Sequence, residues 1–267
     1  MSIKVTVIGA AGRMGRRLVA HILEASDMQL AGAIEYAGSP FIGQDAGVLA
    51  GVQPAGVAIS SDLAAVLDVS DAVIDFATGH VIEDVTAAVK AGCSAVVGTT
   101  ALTAEMKSQL AGLSADGGRL VVASNMSVGV NLLFKLAAEA ARLLDGYDIE
   151  IVEMHHNQKK DAPSGTAVRL AEIICESTGR DYDTDVRHGR EGMVGARTAR
   201  EIGMHALRGG DVVGDHTVVF AVGGERVELT HKASSRDTFV MGALRAVRFL
   251  AAAKPGLYDM QDVLGLK

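Results

Sequence analysis

A short apolar run at Ile3–Ile8 leads directly into Gly9-Ala10-Ala11-Gly12-Arg13-Met14-Gly15, and a helical pattern follows over Arg13–Glu24. Three glycines spaced this way between a strand and a helix leave few folds open. Gly9 permits a tight turn, Gly12 lets the backbone approach a pyrophosphate, and Gly15 allows the helix to pack closely on the strand. The helix start adds free N–H groups and a partial positive charge for the phosphates. A second strand is predicted over 29–34 and ends on Glu35, 20 residues after Gly15. A carboxylate there can accept hydrogen bonds from ribose hydroxyls. A bare strand–helix turn accounts for the glycines but not for Glu35. Tyr36 then stands where a site selective for a 2′-phosphate often carries Arg, so NADH is expected to be used at least as well as NADPH. Arg13, at the helix start, keeps dual use open.

The first half continues in the same rhythm. Strands predicted at 72–76, 95–97 and 120–123 alternate with helices at 81–91 and 103–115. Near-continuous apolar strands separated by helices indicate a parallel sheet covered on both faces. Ligands of such sheets collect beyond the carboxyl ends of the strands. Gly98, Thr99 and Thr100 after one strand, and Ala123, Ser124, Asn125 and Met126 after another, are therefore candidates for holding a nicotinamide. The Gly-rich segment 37–56, with two prolines, reads as a long surface loop.

After Asn125 the pattern changes. A helix at 130–144, a strand at 149–154 and a helix at 167–178 precede a Gly- and charge-rich segment, 180–200. Strands then follow one another at 201–207, 217–222 and 226–232, which implies an antiparallel or mixed sheet and a second domain. The closing helix, 238–252, returns to the Ala/Leu/Val character of the first half and is expected to pack there. The predicted fold class is α/β: a Rossmann-like doubly wound parallel sheet over residues 1–126 and 237–267, plus an α+β domain with a mixed sheet over 127–236.

Within that second domain lies the densest chemistry, Glu153-Met-His155-His156-Asn-Gln-Lys159-Lys160-Asp161-Ala-Pro163-Ser164-Gly165-Thr166. Pro-Ser-Gly-Thr has the composition of a helix start, with a hydroxyl able to cap and exposed N–H groups that bind a carboxylate as readily as a phosphate. Lys159 or Lys160 adds a mobile cation, and His155 and His156 can donate protons near neutral pH. No carboxylate or third His at a fitting spacing suggests zinc. A second basic cluster, His231-Lys232-Ala-Ser-Ser235-Arg236, sits at a strand end. If it converges on the first, the pocket suits a substrate with two carboxylates.

Composition narrows the alternatives. A net charge of −7 leaves no electrostatic footprint for nucleic acid, so an anionic substrate needs a local basic site. Aromatics are 4% with no Trp, so the core must be built from aliphatic residues and Met. Cys93 and Cys175 form no Cys-x-x-Cys pair or disulfide framework and read as reduced thiols. The strand pattern begins at once, with no room for a signal peptide, and no apolar run reaches the roughly 18 residues of a membrane span. A cytoplasmic protein is expected.

Taken in order, these motifs resemble the 4-hydroxy-tetrahydrodipicolinate reductase (dihydrodipicolinate reductase) family nearly end to end. The residues that carry the likeness are Gly9–Gly15 with Arg13-Met14, Val97–Thr100, Asn125 with Ser127-Val-Gly-Val-Asn131, Glu153–Thr166, and Thr230-His-Lys-Ala-Ser-Ser-Arg236. The resemblance implies an enzyme that uses NADH and/or NADPH to reduce 4-hydroxy-tetrahydrodipicolinate, a small dicarboxylate, to tetrahydrodipicolinate on the diaminopimelate route to lysine. It implies loss of water from the substrate, hydride at C4 and a proton at C3. It also implies a homotetramer assembled through the sheet of the central domain. His155 and Lys159 are then the proton-donor candidates, and His156, Lys159, Ser164, Gly165, Thr166 and Thr100 line the dicarboxylate site. Gly9, Ala10, Ala11, Gly12, Arg13, Met14, Glu35, Gly98, Thr99, Thr100, Ala123, Ser124, Asn125 and Met126 contact the cofactor. Two positions depart from the family pattern: Tyr36 replaces an Arg, and Met126 a Phe, of some members. Two rival readings are another NAD(P)-dependent dehydrogenase of similar plan, which leaves the His155–Thr166 run unexplained, and a non-catalytic NAD(H) sensor, which leaves the proton donors unused.

Overall fold

The computed structural model describes residues 2–99 and 102–267. The chain divides into two units, Met1–Val128 with Asp237–Lys267, and Gly129–Arg236. The first unit runs through β1 (Ile3–Ile8), α1 (Arg13–Glu24), β2 (Met28–Ile34), α2 (Ala46–Leu49), β3 (Ile59–Ser60) and α3 (Ala64–Leu67). It continues with β4 (Ala72–Asp75), α4 (Val81–Lys90), β5 (Ser94–Val97), α5 (Ala104–Ala115) and β6 (Arg119–Val122). The second begins on α6 (Val128–Leu143) and adds β7 (Asp148–His155), α7 (Gly165–Thr178), α8 (Tyr182–Asp185), β8 (Val186–His188), β9 (Ile202–Arg208), β10 (Gly214–Val222) and β11 (Glu225–Ala233). The chain then returns to the first with α9 (Asp237–Ala252), β12 (Gly256–Tyr258) and α10 (Met260–Leu264).

Among the described residues the first unit forms a seven-stranded sheet in the order β12-β6-β5-β4-β1-β2-β3, parallel at every pairing. Alternate strand residues feed two cores. Val5, Val7, Ile74, Val96 and Val121 pack with Leu18 and Ile22 of α1 and with Val240, Leu244 and Val247 of α9. Ile8, Val73, Val97 and Leu120 pack on the other side with Val85 and Ala88 of α4 and Leu110 of α5. Coverage of both faces is why these strands read as continuous apolar runs. Each fully buried Leu or Ile contributes roughly 1.5–3 kcal/mol, so truncating Leu18 to Ala is expected to cost about 2–5 kcal/mol. The strand order turns back between β1 and β4, the position where open α/β sheets bind ligands.

Three segments differ from expectation. The predicted loop 37–56 contains α2, because the Asp45 carboxylate caps it through Val48 N–H and also gathers the Ala55 and Gly56 N–H groups at 2.9 and 2.8 Å. The segment 180–200 contains α8, capped by Asp181, and β8, which pairs in parallel with β9. Beyond α9 the chain forms β12 on the edge of the large sheet and α10, held by a capping box between Asp259 and Asp262.

The second unit carries a five-stranded sheet in the order β11-β10-β7-β9-β8. It is mixed, as expected: β11, β10 and β7 pair antiparallel, whereas β7, β9 and β8 pair parallel. Ile149, Ile151, Ile202, Met204, Val218 and Phe220 pack against Val130, Leu133, Phe134 and Ala137 of α6 and Ala167, Leu170, Ala171 and Ile174 of α7. The strand set has period two and the α7 set the helical spacing i, i+3, i+4, i+7. The inward parity of β7 that places Ile149 and Ile151 continues to Glu153 and His155, putting ionisable groups at the end of an apolar face. Among the described residues no helix is long and apolar enough to cross a membrane.

Candidate active site

In the first unit the glycine loop leaves the end of β1 and doubles back beneath α1. Gly9 adopts φ +73°, a conformation costly for a residue with a Cβ. A Cβ at Gly15 would overlap the Gly9 carbonyl oxygen and stand 2.6 Å from Ala10 Cα, so glycine alone lets the helix meet the loop. The loop amides are spent internally: Gly9 and Ala10 N–H donate to Ile34 O at 2.8 and 3.0 Å, and Gly12 N–H to Gly9 O at 3.0 Å. Ala11 N–H donates to Glu35 Oε1 at 2.8 Å. Glu35, read from sequence as a ribose ligand, anchors the loop through one oxygen. The N–H groups of Arg13 and Met14, in the first turn of α1, have no partner within the helix. Arg16 braces the loop by donating from Nε to Ala11 O at 2.8 Å, with its guanidinium 5.0 Å from the Phe41 ring centre.

A cavity of about 780 Å³ lies against this loop, lined by Gly9, Gly12, Arg13, Met14 and Gly15 but not the buried Ala10 and Ala11, and by Glu35, the exposed Tyr36 and the turn from Phe76 to His80. Gly98 follows β5 flat against the Phe76 ring, which a Cβ would overlap. Thr99 is buried, Asn125 half-buried and Ser124 exposed. Thr100 lies outside the described residues. Met126, expected from the sequence beside a nicotinamide, turns its side chain inward. Its side chain is 1% exposed within the core, and the absence of a Cβ on Gly242 lets α9 lie against its carbonyl. Beneath the Phe76–His80 turn Asp75 is fully buried, with Oδ1 accepting from Ala77 N–H at 2.7 Å and Oδ2 without a partner among the described residues. Burial pushes this carboxyl up to about 7.

In the second unit the chemistry gathers at one end of the sheet. The parallel register of β7 and β9 sets His155 beside Arg208. The antiparallel registers set Glu153 beside His216, and His216 beside His231. Glu153 has no exposed surface. Its Oε2 accepts from His155 Nδ1 at 2.6 Å and Arg208 Nη1 at 2.8 Å; its Oε1 accepts from Arg208 Nη2 at 2.9 Å and Ser164 N–H at 3.0 Å. Burial alone would push Glu153 up, but the bonds from His155 and Arg208 outweigh it and hold the carboxyl down to about 2. Ser164 caps α7 through Ala167 N–H and meets His216 Nε2 at 3.0 Å. Burial, reinforced by the neighbouring His155, pushes His216 down to about 3, so it is neutral near pH 7.

In the first turn of α7, Gly165 is exposed with open space where a Cβ would point, Thr166 is half-buried, and no acidic residue is present. That leaves a helix start suited to a carboxylate. Lys159 lies in the loop before it, its Nζ on both Asp161 oxygens at 2.8 and 2.7 Å, and half-buried His156 accepts Lys159 N–H on its carbonyl at 3.2 Å. Of the residues expected from the sequence, the structure joins His155 and Ser164 through Glu153 and places Lys159 on Asp161; sequence reasoning passed over Arg208 and His216 and gave Glu153 no role. A signal existed for two of them. Glu153 continues the inward parity of Ile149 and Ile151, and His216 that of Val218 and Phe220, so each is a polar group at a core position that must find a partner.

Comparison with known proteins shows the family. The family model described as "Dihydrodipicolinate reductase, N-terminus" matches residues 3–126, and "Dihydrodipicolinate reductase, C-terminus" matches 129–264. A 4-hydroxy-tetrahydrodipicolinate reductase of Syntrophotalea carbinolica is 55% identical over 267 residues, covering 99% of this chain and 100% of the relative. One from Geotalea daltonii is 50% identical with the same coverage. Among solved structures, a dipicolinate-bound dihydrodipicolinate reductase from Paenisporosarcina sp. TG-14 superposes with a TM-score of 0.78 at 26% identity, covering 98% of this chain and 99% of that one. The chain belongs to the dihydrodipicolinate reductase family.

Proposed function

We propose that this chain reduces 4-hydroxy-tetrahydrodipicolinate to tetrahydrodipicolinate with NADH or NADPH, in the diaminopimelate route to lysine. The observation that carries the reading is the joining, in one family member, of an imidazole and the Ser164-capped start of α7 by a single buried carboxylate. The first unit holds the nucleotide and the second the substrate. The glycine loop fits a dinucleotide: a Cβ at Gly15 would close it, and the cavity beside it is bounded by Glu35 and by the Arg13 and Met14 amides. When bound, the reduced nicotinamide supplies hydride. Gly98, Thr99, Ala123, Ser124, Asn125 and Met126 are the residues proposed to hold that ring.

The start of α7 at Ser164–Thr166 holds one substrate carboxylate and fixes the ring to be reduced. Lys159 faces the second carboxylate after leaving Asp161, with His156 beside it. His155, with Nδ1 committed to Glu153, holds or delivers a proton at Nε2, and the Lys159 ammonium is the second acid. Tyr36 brings no charge to a 2′-phosphate, so NADH serves at least as well as NADPH. The protein acts in the cytoplasm and as a homotetramer, and the assembly is supported by half-exposed Val152, Met154 and Val219 and exposed Leu207 on the second sheet.

The test is a coupled assay in which the product of the preceding synthase reaction is offered with NADH or NADPH and loss of nicotinamide absorbance is followed. Turnover that falls severely in Lys159→Ala, with NADH binding retained, is expected. No oxidation of either nucleotide by the wild-type protein would leave a nucleotide-binding sensor as the better reading.

A further inference from the structure

We infer that Glu153 and Arg208 are positioning residues that fix the tautomer of His155 and lock it in register with the start of α7. The inference rests on the proposed role of His155 as a proton carrier. Glu153 lies at 0% exposure and accepts four hydrogen bonds, two on each oxygen. That fills a carboxylate. Arg208 supplies two of the four through its planar fork, so the buried charge is neutralised and the carboxylate acts as a fixed acceptor.

Two consequences follow from that saturation. An ionised carboxylate only accepts, so His155 must carry hydrogen on Nδ1, leaving Nε2 as the nitrogen whose protonation changes. The other oxygen of the same carboxylate holds the Ser164 N–H, so a single rigid group spans from the imidazole to the cap of the anion-binding helix. Arg208 extends the brace, because its Nη2 also donates to Asp161 O at 2.8 Å and ties down the loop that carries Lys159. The ring is confined elsewhere too. His216 stands edge-on at 5.2 Å between centroids, and a Cβ at Gly214 would come within 3.0 Å of His155 Nε2. Glycine at 214 therefore leaves room at the nitrogen that must exchange its proton.

Glu153→Gln tests this in the full-length protein. One orientation of the new amide would aim N–H groups at both Ser164 N–H and Arg208. The other faces Arg208 Nη1 and His155, where neutral His155 can accept on Nδ1 by shifting its proton to Nε2. Long-range ¹H–¹⁵N spectra of histidine-labelled protein, assigned with His155→Gln, read the tautomer without any substrate. Expected are the Nδ1–H form in the wild type and the Nε2–H form in Glu153→Gln. With the inversion, kcat is expected to fall about 10²-fold or more, as wrong-tautomer variants of other His-dependent enzymes do, while the Kd for NADH changes less than about twofold. An Nε2–H tautomer in the wild type, or Glu153→Gln turnover within about threefold of wild type, would overturn the inference. If Glu153→Gln does not fold, Arg208→Lys keeps the charge and loses the fork. A displaced His155 limb in the pH profile of kcat/KM then supports the inference, and an unmoved one overturns it. A wild type that turns nothing over defeats the functional reading instead, and the tautomer still decides this one.

Discussion

Replacing Asp75 with Asn removes an ionisation that the native fold resists. Asp75 ends β4 with no exposed surface, one oxygen on Ala77 N–H and the other without a partner among the described residues. Burial, opposed by that single N–H and aided by the negative charge of Asp84, lifts the carboxyl from 3.8 to about 7. A raised acid stabilises the fold below its unfolded pKa and loses that contribution as pH climbs through the folded value. The gap between 3.8 and about 7, at about 1.36 kcal/mol per pH unit, corresponds to about 4 kcal/mol. Asn keeps the shape and an acceptor for Ala77 N–H, at a roughly pH-independent cost of about 1–3 kcal/mol for its unpartnered N–H groups. Urea unfolding of both proteins from about pH 4.5 to about pH 8.5, followed by circular dichroism, should show the variant gaining about 3–4 kcal/mol on the wild type as pH rises. Parallel curves, constant to within about 1 kcal/mol, would refute a neutral Asp75.

Gly15→Ala is expected to destabilise the protein by about 1–3 kcal/mol, because its Cβ meets the Gly9 and Ala10 backbone. It should also weaken NADH binding in a fluorescence titration, and wild-type affinity would mean the loop does not hold the nucleotide. Ser164→Ala removes both the α7 cap and the His216 contact, so the substrate KM is expected to rise roughly tenfold with the NADH Kd unchanged. Tyr36→Arg is expected to shift the kcat/KM ratio toward NADPH by roughly tenfold, the worth of one charge-assisted bond to a 2′-phosphate. An unchanged ratio would place the phosphate elsewhere.

Local signals explain what was legible. β1, the glycine loop, α1 and Glu35 lie within one βαβ segment, so spacing alone defines them. The cap at Ser164 was equally local. β12 was not: its three residues carry no pattern and are a strand only because they pair with β6. The α10 cap, Asp259 to Asp262, was readable but lies past the last apolar periodicity. At the site, Glu153 and His216 betray themselves by inward parity, whereas Arg208 does not. Its role depends on the parallel β7–β9 register, which joins residues 55 positions apart. The burial of Met126 was not legible either, since a residue in a strand-ending loop can turn its side chain into the core.

The reductase reading is tested most directly by following hydrogen rather than absorbance. The substrate is turned over in ordinary water with NADH or NADPH carrying deuterium at the transferable position of nicotinamide C4, and the product is read by NMR. One deuterium at C4 of the product ring, with solvent hydrogen at C3 and loss of that turnover in Lys159→Ala, is the predicted result. Product without deuterium, or no product at all, would contradict it.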